Sequence, residues 1–318
     1  MFSEYTRNQL QVLRSNRICD VYSVSYNRFY WYPYKLTAVG NAWDSLDESC
    51  WSMIIDSNKG KESVTNHEII DESIDRRAEY VIPKDYIGQA NRTLESLIEF
   101  EQLIDDRDSF KAKPIPIIQY NEQTGESHAN HLKNNKQFYQ SYSHLAIGGL
   151  QNFNSIETIK IIRDIRRIIG PHTNLHGFGV GTDLELIQAL RYNPNLLDSL
   201  DMSTSERMPY NNHIPEGGLS LKQTDPDIPM PNGDLISVVN AQYAKANLLK
   251  INYFLSDQLD KEKFNNTIQQ AFTDAKIEKI IKAAALDPEH IKWEELSYNP
   301  RASDSRTPAH TANLASFG

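Results

Sequence analysis

The sequence predicts an α/β fold of the (β/α)8 TIM-barrel type, with an aromatic-rich N-terminal extension and C-terminal helices. Three observations carry this expectation. From about residue 50 to residue 203, short β-rich apolar runs alternate with helical patterns; the runs end near positions 55, 82, 118, 147, 178 and 200, the spacing of βα units. Polar or glycine residues (Asp56, Asp85, Gln119, Gly148-Gly149, His176, Asp201) stand at or just beyond the ends of these runs. A barrel collects such strand ends onto one face, where its active site is built. Finally, no G-x-G-x-x-G follows the first run, which counts against an open dinucleotide-binding sheet. With 318 residues the chain is long enough for one barrel, which takes about 250.

The elements follow in order. Residues 1–50 are expected as an extension packed on the barrel. Its block DVYSVSYNRFYWYPY holds Tyr22, Tyr26, Phe29, Tyr30, Trp31, Tyr32 and Tyr34. Alternating aromatics predict a strand or hairpin lying over the barrel, and aromatics of this kind also stack unpaired bases. Residues 51–298 form the barrel domain, with strands expected over 52–55, 79–82, 115–118, 144–147, 174–178 and 196–200. Between them, residues 93–103 read as an amphipathic helix. The segment opened by Ser155 puts Ile156, Ile159, Ile162, Ile165 and Ile169 on one face. Lys160, Arg163, Arg166 and Arg167 lie on or beside the other, and Gly170-Pro171 stops it. Thr182 with Glu185 makes a capping box for a helix over 183–192. Residues 235–255 and 261–285 read as long helices. The Pro-, Gly- and Asn-rich stretch 203–233 reads as a loop over the active face, and 299–318 as a mobile tail.

Composition narrows the class. Hydrophobic residues are 39% and charged residues 24%, a globular balance that excludes collagen-like and fully disordered chains. No run approaches the ~20 apolar residues needed to span a bilayer, and the N-terminus carries no signal-peptide core. Two cysteines, Cys19 and Cys50, make neither a disulfide framework nor a four-cysteine zinc site, so a cytoplasmic location is expected. The net charge of −9 excludes a uniformly basic nucleic-acid coat but leaves room for a local basic cleft.

Several residues could carry chemistry. Asp56 and Asp201, desolvated by apolar neighbours at strand ends, suit general acid/base work or attack on a sugar carbon; the bland reading is a cap on the following helix. Gly148-Gly149-Leu150 allows a flat ligand to approach the backbone, or simply makes a tight turn. Gln119 can read a base or amide edge. His172 and His176 have H-x-x-x-H spacing, but it straddles a predicted loop and strand and not a helix face, and these two and His213 lack cysteine support; neither a nucleophile elbow nor a P-loop is present, so no metal and no cofactor are expected.

The ordered set "MIIDS" at 53–57, "EYVIPKD" at 79–85, "IPIIQ" at 115–119, "LAIGGL" at 145–150, "LHGFGVG" at 175–181 and "LLDSLDMST" at 197–204 resembles the barrel of the tRNA-guanine transglycosylase superfamily over about half the chain. The resemblance implies roles. Asp56 matches the general acid/base and Asp85 the aspartate that binds the heterocycle. Gln119 matches the base-reading glutamine. Gly148, Gly149 and Leu150, with His176 and Gly177, match the surrounding substrate-binding segments. In D-x-x-D, Asp201 matches the nucleophile and Asp198 the first aspartate. The family's "DSGG" is "DSNKG" here, and its C-x-C-x-x-C…H zinc site is missing. This trimmed pattern is most similar to the branch that inserts 7-deazaguanines into DNA. It implies guanine exchange for a base such as preQ0, with DNA as substrate and ATP-dependent partner proteins as a further expectation. The alternatives are a tRNA-directed enzyme of the same family, a non-catalytic nucleic-acid-binding subunit, or an unrelated barrel hydrolase.

Overall fold

A computed structural model describes residues 4–24, 31–41, 49–57, 63–180, 184–202, 213–216, 219–222, 245 and 248–286. The chain opens with α1 (Glu4–Arg14), β1 (Asp20–Val24), β2 (Tyr34–Ala38) and β3 (Ser52–Asp56). It continues through α2 (Asn66–Asp75), β4 (Tyr80–Val81), α3 (Ala90–Asp105), β5 (Lys113–Pro114), β6 (Ile117–Ile118), α4 (His128–Asn134) and α5 (Lys136–Tyr139). Then come β7 (His144–Ile147), α6 (Ser155–Ile169), β8 (Asn174–Gly177), α7 (Leu184–Tyr192) and β9 (Ser199–Met202). A hairpin of β10 (His213–Glu216) and β11 (Leu219–Lys222), a helical stretch at 248–254, α8 (Lys261–Ala271) and α9 (Asp274–Ala284) complete the described elements.

Strands β1 to β9 form one all-parallel sheet in the order β5-β4-β3-β2-β1-β9-β8-β7-β6. The sheet curls. Its end strands, β5 and β6, make no ladder with each other, yet only Ile115 and Pro116 separate them in the chain. Ile115 N–H donates to Val81 O (2.8 Å), and Ala146 N–H donates to Pro116 O (2.9 Å). One extended segment thus hydrogen-bonds β4 on one flank and β7 on the other, which gives a TIM-like half-barrel with helices outside.

Period-two alternation sorts the side chains. Tyr22, Leu36, Ile54, Ile82, Ile115, Ile117 and Ala146 form the inner cluster, with Tyr34, Tyr80 and Phe178 against it. Their neighbours in sequence, such as Val21, Ile118, Leu145, Leu175, Leu200 and Met202, face outward into the helix-covered core. On that outer side α6 buries Ile159, Ile162 and Ile165 completely. A reciprocal cap starts this helix: Asn154 Oδ1 accepts from Glu157 N–H (3.0 Å), and Glu157 Oε2 accepts from Asn154 N–H (3.1 Å). Gly170 ends it, and α9 packs across α6 and α7.

Three expectations are corrected. Residues 1–50 are not an added layer on a barrel that begins at residue 51. β1 pairs in parallel with β9 and β2, and β2 with β3, so this segment supplies two central strands. The aromatic alternation was real but marks strand faces: Tyr22 and Tyr34 point inward, 5.5 Å apart edge to face. The helix expected over 261–285 is two helices. Phe272 adopts extended backbone, and Thr273 caps the second by accepting from Lys276 N–H (3.3 Å). The strand expected over 196–200 begins instead at Ser199, because Leu196 sits in a turn with its N–H on Asn193 O (3.2 Å). The 183–192 helix is seen as α7, while its expected cap Thr182, most of the expected loop 203–233, most of the expected helix 235–255 and the tail 299–318 lie outside the described residues. Among the described residues, no helix is long and apolar enough to cross a membrane.

Candidate active site

Strand parity decides which polar residues meet. Asp56 lies two residues beyond Ile54, Gln119 two beyond Ile117, and Gly148 two beyond Ala146, so all three continue inward-facing rows at the C-terminal ends of their strands. On β9, Leu200 and Met202 face outward, so Ser199 and Asp201 face inward. Asp198 has the opposite parity. Its Oδ2 accepts from Arg166 Nη2 (2.6 Å) on α6 and from Leu175 N–H (2.7 Å). The two aspartates of D-x-x-D therefore serve opposite faces of the sheet.

Asp85, Gln119 and Ser57 form one connected group. Gln119 Nε2 donates to Asp85 Oδ2 (2.9 Å), and Ser57 Oγ donates to Asp85 Oδ1 (3.0 Å). Gln119 is completely buried, and its Oε1 has no hydrogen-bond partner among the described residues. An unpaired buried carbonyl oxygen costs about 1–3 kcal/mol, so this atom calls for a donor beyond those the described residues supply. Ser57 was not singled out in the sequence, although its place directly after Asp56 was a signal.

The glycine pair has a structural cause as well. A Cβ on Gly148 would stand 2.2 Å from Gln119 Nε2, so only glycine lets the amide lie across the β7 end. Gly149 has φ +73°, and a Cβ there would meet Tyr120 Cε1 at 2.7 Å. The Gly148 carbonyl is bonded to His128 Nε2 (2.9 Å). Burial pushes the His128 pKa down to about 4, so the ring is a neutral donor at that nitrogen. Leu150 places its side chain in the outer core. Gly177 also faces outward, where a Cβ would crowd Leu197 and Val180 at 3.0 and 3.1 Å. Neither brings a side chain to the inner face.

Asp201 is 6% exposed. Its Oδ1 accepts from Gly179 N–H (2.6 Å), and His176 Nε2 lies 4.0 Å from the same oxygen. His176 is buried between two aromatic edges, Phe178 at 4.4 Å and Tyr22 at 5.8 Å. Its Nδ1 meets Ser199 Oγ (2.8 Å). Burial drives its pKa down to about 3, so the imidazole is neutral.

Basic residues of α6 and part of the aromatic block are engaged within the fold. Arg166 is 3% exposed and, besides Asp198, bonds the carbonyls of Leu196, Gly170 and Thr173. Arg163 pairs with Asp164 (2.7 Å), and Arg167 bonds the Leu286 carbonyl. Tyr32 is buried with its hydroxyl on Val21 O (2.8 Å). Tyr26, Phe29 and Tyr30 lie outside the described residues. Among the described residues no three His, Cys, Asp or Glu side chains are grouped to hold a metal ion. A cavity of about 140 Å³ lies toward the N-terminal ends of the strands, lined by Asp20, Tyr80, His144, Asn174 and Asp198, and reaches Tyr22, His176 and Ser199. Its carboxylates are already paired, Asp20 with Arg17 (2.8 Å) and Asp198 with Arg166. Asp56, Gln119 and Asp201 lie at the opposite, C-terminal ends of their strands, with Asp85 bonded to Gln119. Compared with protein-family models and with curated proteins, the chain matches none.

Proposed function

We propose that the curled sheet is a (β/α)8 barrel, with residues 113–118 counted as one strand, and that it carries a base-exchange transglycosylase. In this reading guanine in DNA is replaced by a 7-deazaguanine such as preQ0. The observation that carries it is Gln119: a fully buried amide, anchored by Asp85, which Ser57 holds in turn, with its Oε1 unpaired among the described residues. An amine or ring N–H of a purine-like base supplies a donor. The inward-facing carboxylates of Asp56 and Asp201 support the reading, since exchange at a sugar carbon needs a nucleophile and a proton carrier.

The reaction is a double displacement. An Asp201 carboxylate oxygen attacks C1′, the C1′–N9 bond breaks with its electron pair leaving on guanine, and Asp56 protonates the departing base. The incoming base gives its proton back to Asp56 as its nitrogen attacks C1′ and expels Asp201. Two inversions retain the anomeric configuration, by the logic of retaining glycosidases. A target base in a duplex has to be flipped out, at a cost of a few kcal/mol. Partner proteins, ATP-driven ones included, are part of the proposal only as strand-openers for this step.

The test is incorporation of labelled guanine or preQ0 by the purified protein into DNA and tRNA offered separately. Label in DNA, lost in Asp201→Asn together with any covalent adduct on a denaturing gel, is expected. Label in tRNA alone would replace the DNA reading, and label in neither, with strand-opening partners supplied, would end it.

A further inference from the structure

We infer that His176 is a positioning residue for Asp201, donating its Nε2–H to the same carboxylate oxygen that Gly179 holds. The inference rests on the reading of Asp201 as the nucleophile and goes beyond it. It names the group that fixes how the carboxylate presents itself.

His176 Nε2 is buried and has no hydrogen-bond partner among the described residues. A buried polar nitrogen without a partner is costly, so a partner within a small movement is expected. Asp201 Oδ1 lies 4.0 Å away. A rotation of the Asp201 carboxylate or a tilt of the ring of about 1 Å brings the pair to the ordinary N–H···O distance of about 2.9 Å.

The proton must sit on the correct nitrogen. A neutral ring carries one N–H, and burial keeps this ring neutral. Ser199 Oγ, 2.8 Å from Nδ1, can donate to that nitrogen, which leaves the proton on Nε2. The other tautomer would aim a lone pair at a carboxylate oxygen. The acceptor-only carboxylate thus selects the Nε2–H tautomer, and the serine hydroxyl, able to donate or accept, adapts by donating to Nδ1. The ring has little freedom to turn away, since Phe178 and Tyr22 hold it edge to face. Two donors converging on Oδ1, one from backbone and one from a clamped ring, fix the carboxylate plane, and a fixed nucleophile needs less reorganisation on attack.

Two measurements on the full chain decide the matter. The first uses no substrate. In protein labelled with ¹⁵N-histidine, the His176 ring resonances are expected to show the neutral Nε2–H tautomer, and Asp201→Asn is expected to shift Nε2. Ser199→Ala, which leaves the carboxylate in place, is expected to keep the Nε2–H tautomer. An Nδ1–H tautomer, a protonated ring, or an Nε2 resonance indifferent to Asp201→Asn overturns the proposal whether or not the protein exchanges bases. The second is kinetic. His176→Phe keeps an aromatic ring without a donor, and is expected to lower kcat for exchange by about 10- to 100-fold with the KM for the free base unchanged. His176→Gln, which restores an N–H donor, is expected to recover part of that loss. Equal losses in both variants, or a loss confined to KM, would show a packing or base-binding role instead. Failure of exchange in the parent protein would count against the transglycosylase reading and leave the spectroscopic arm to decide on His176.

Discussion

The difference between neighbouring residues in this protein is often a matter of which side of the sheet they serve. Asp198 and Asp201 are three positions apart and chemically identical, yet one neutralises a buried arginine on α6 and the other faces the interior beside His176. Substitution separates them. Asp198→Asn keeps an acceptor but loses the charge facing Arg166, and the expected outcome is a loss of about 1–3 kcal/mol in chemical denaturation with exchange activity retained in the folded protein. Asp201→Asn is expected to leave the denaturation midpoint within the range of an ordinary surface change while abolishing the covalent adduct. Gly148 offers a sharper test of the base pocket. A methyl group there would overlap the Gln119 amide at 2.2 Å, so Gly148→Ala must push Gln119 off Asp85. Calorimetry with guanine or preQ0 should then show binding weakened by about 1–3 kcal/mol, as for Gln119→Ala itself. Unaltered binding in both variants would remove Gln119 from the pocket.

At the scale of elements, legibility followed from how one-sided each element is. The α6 helix was readable because its isoleucines repeat on one face and its ends carry ordinary start and stop signals. Its capping box makes a measurable claim: Asn154→Ala should cost about 1 kcal/mol of stability in chemical denaturation, since it removes the reciprocal bonds with Glu157. Strands β3 and β7 were readable as apolar runs closed by a polar residue or glycine. Strands β1 and β2 were not, because their inward residues include Tyr22 and Tyr34, and their outward positions Ser23, Lys35 and Thr37 are polar types that nonetheless end up buried. A sequence pattern assigns such residues to a surface, and only the parallel pairing to β9 and β3 reveals that they lie inside the sheet. The same limit applied to Arg166. Its spacing put it beside the solvated face of α6, while its four hydrogen-bonding partners come from segments near in space. The carboxylates and glutamine of the candidate site were visible because barrels place such groups at strand ends. The Ser57 and His176 contacts were not, because they depend on distances between strands.

For the molecule as a whole, the buried histidines set its response to acid. His176 and His128 are held neutral by burial, with pKa values pushed down to about 3 and about 4, against about 6.5 in an unfolded chain. Between those values the unfolded state binds more protons than the folded one, so stability rises with pH across that window and falls as pH drops below about 6.5. By pH 5 each ring contributes a loss of about 2 kcal/mol, which is a large share of an ordinary domain's stability of about 5–15 kcal/mol. His131 shifts in the same direction, again through burial, and adds to the effect. The two principal rings tie separate parts of the site together, His128 holding the Gly148 carbonyl and His176 standing beside Asp201. Acid should therefore loosen the surroundings of Gly148 and of Asp201 in one transition rather than in sequence. The check is a series of urea denaturations from pH 7.5 to pH 4.5. The expected result is a midpoint that stays level above pH 7 and declines steadily below 6.5, with part, less than half, of that decline removed in His128→Gln, whose amide can still donate to Gly148 but takes up no proton. A stability that is flat across the interval, or that rises toward acid, would show that these histidines are not buried neutral in the folded protein.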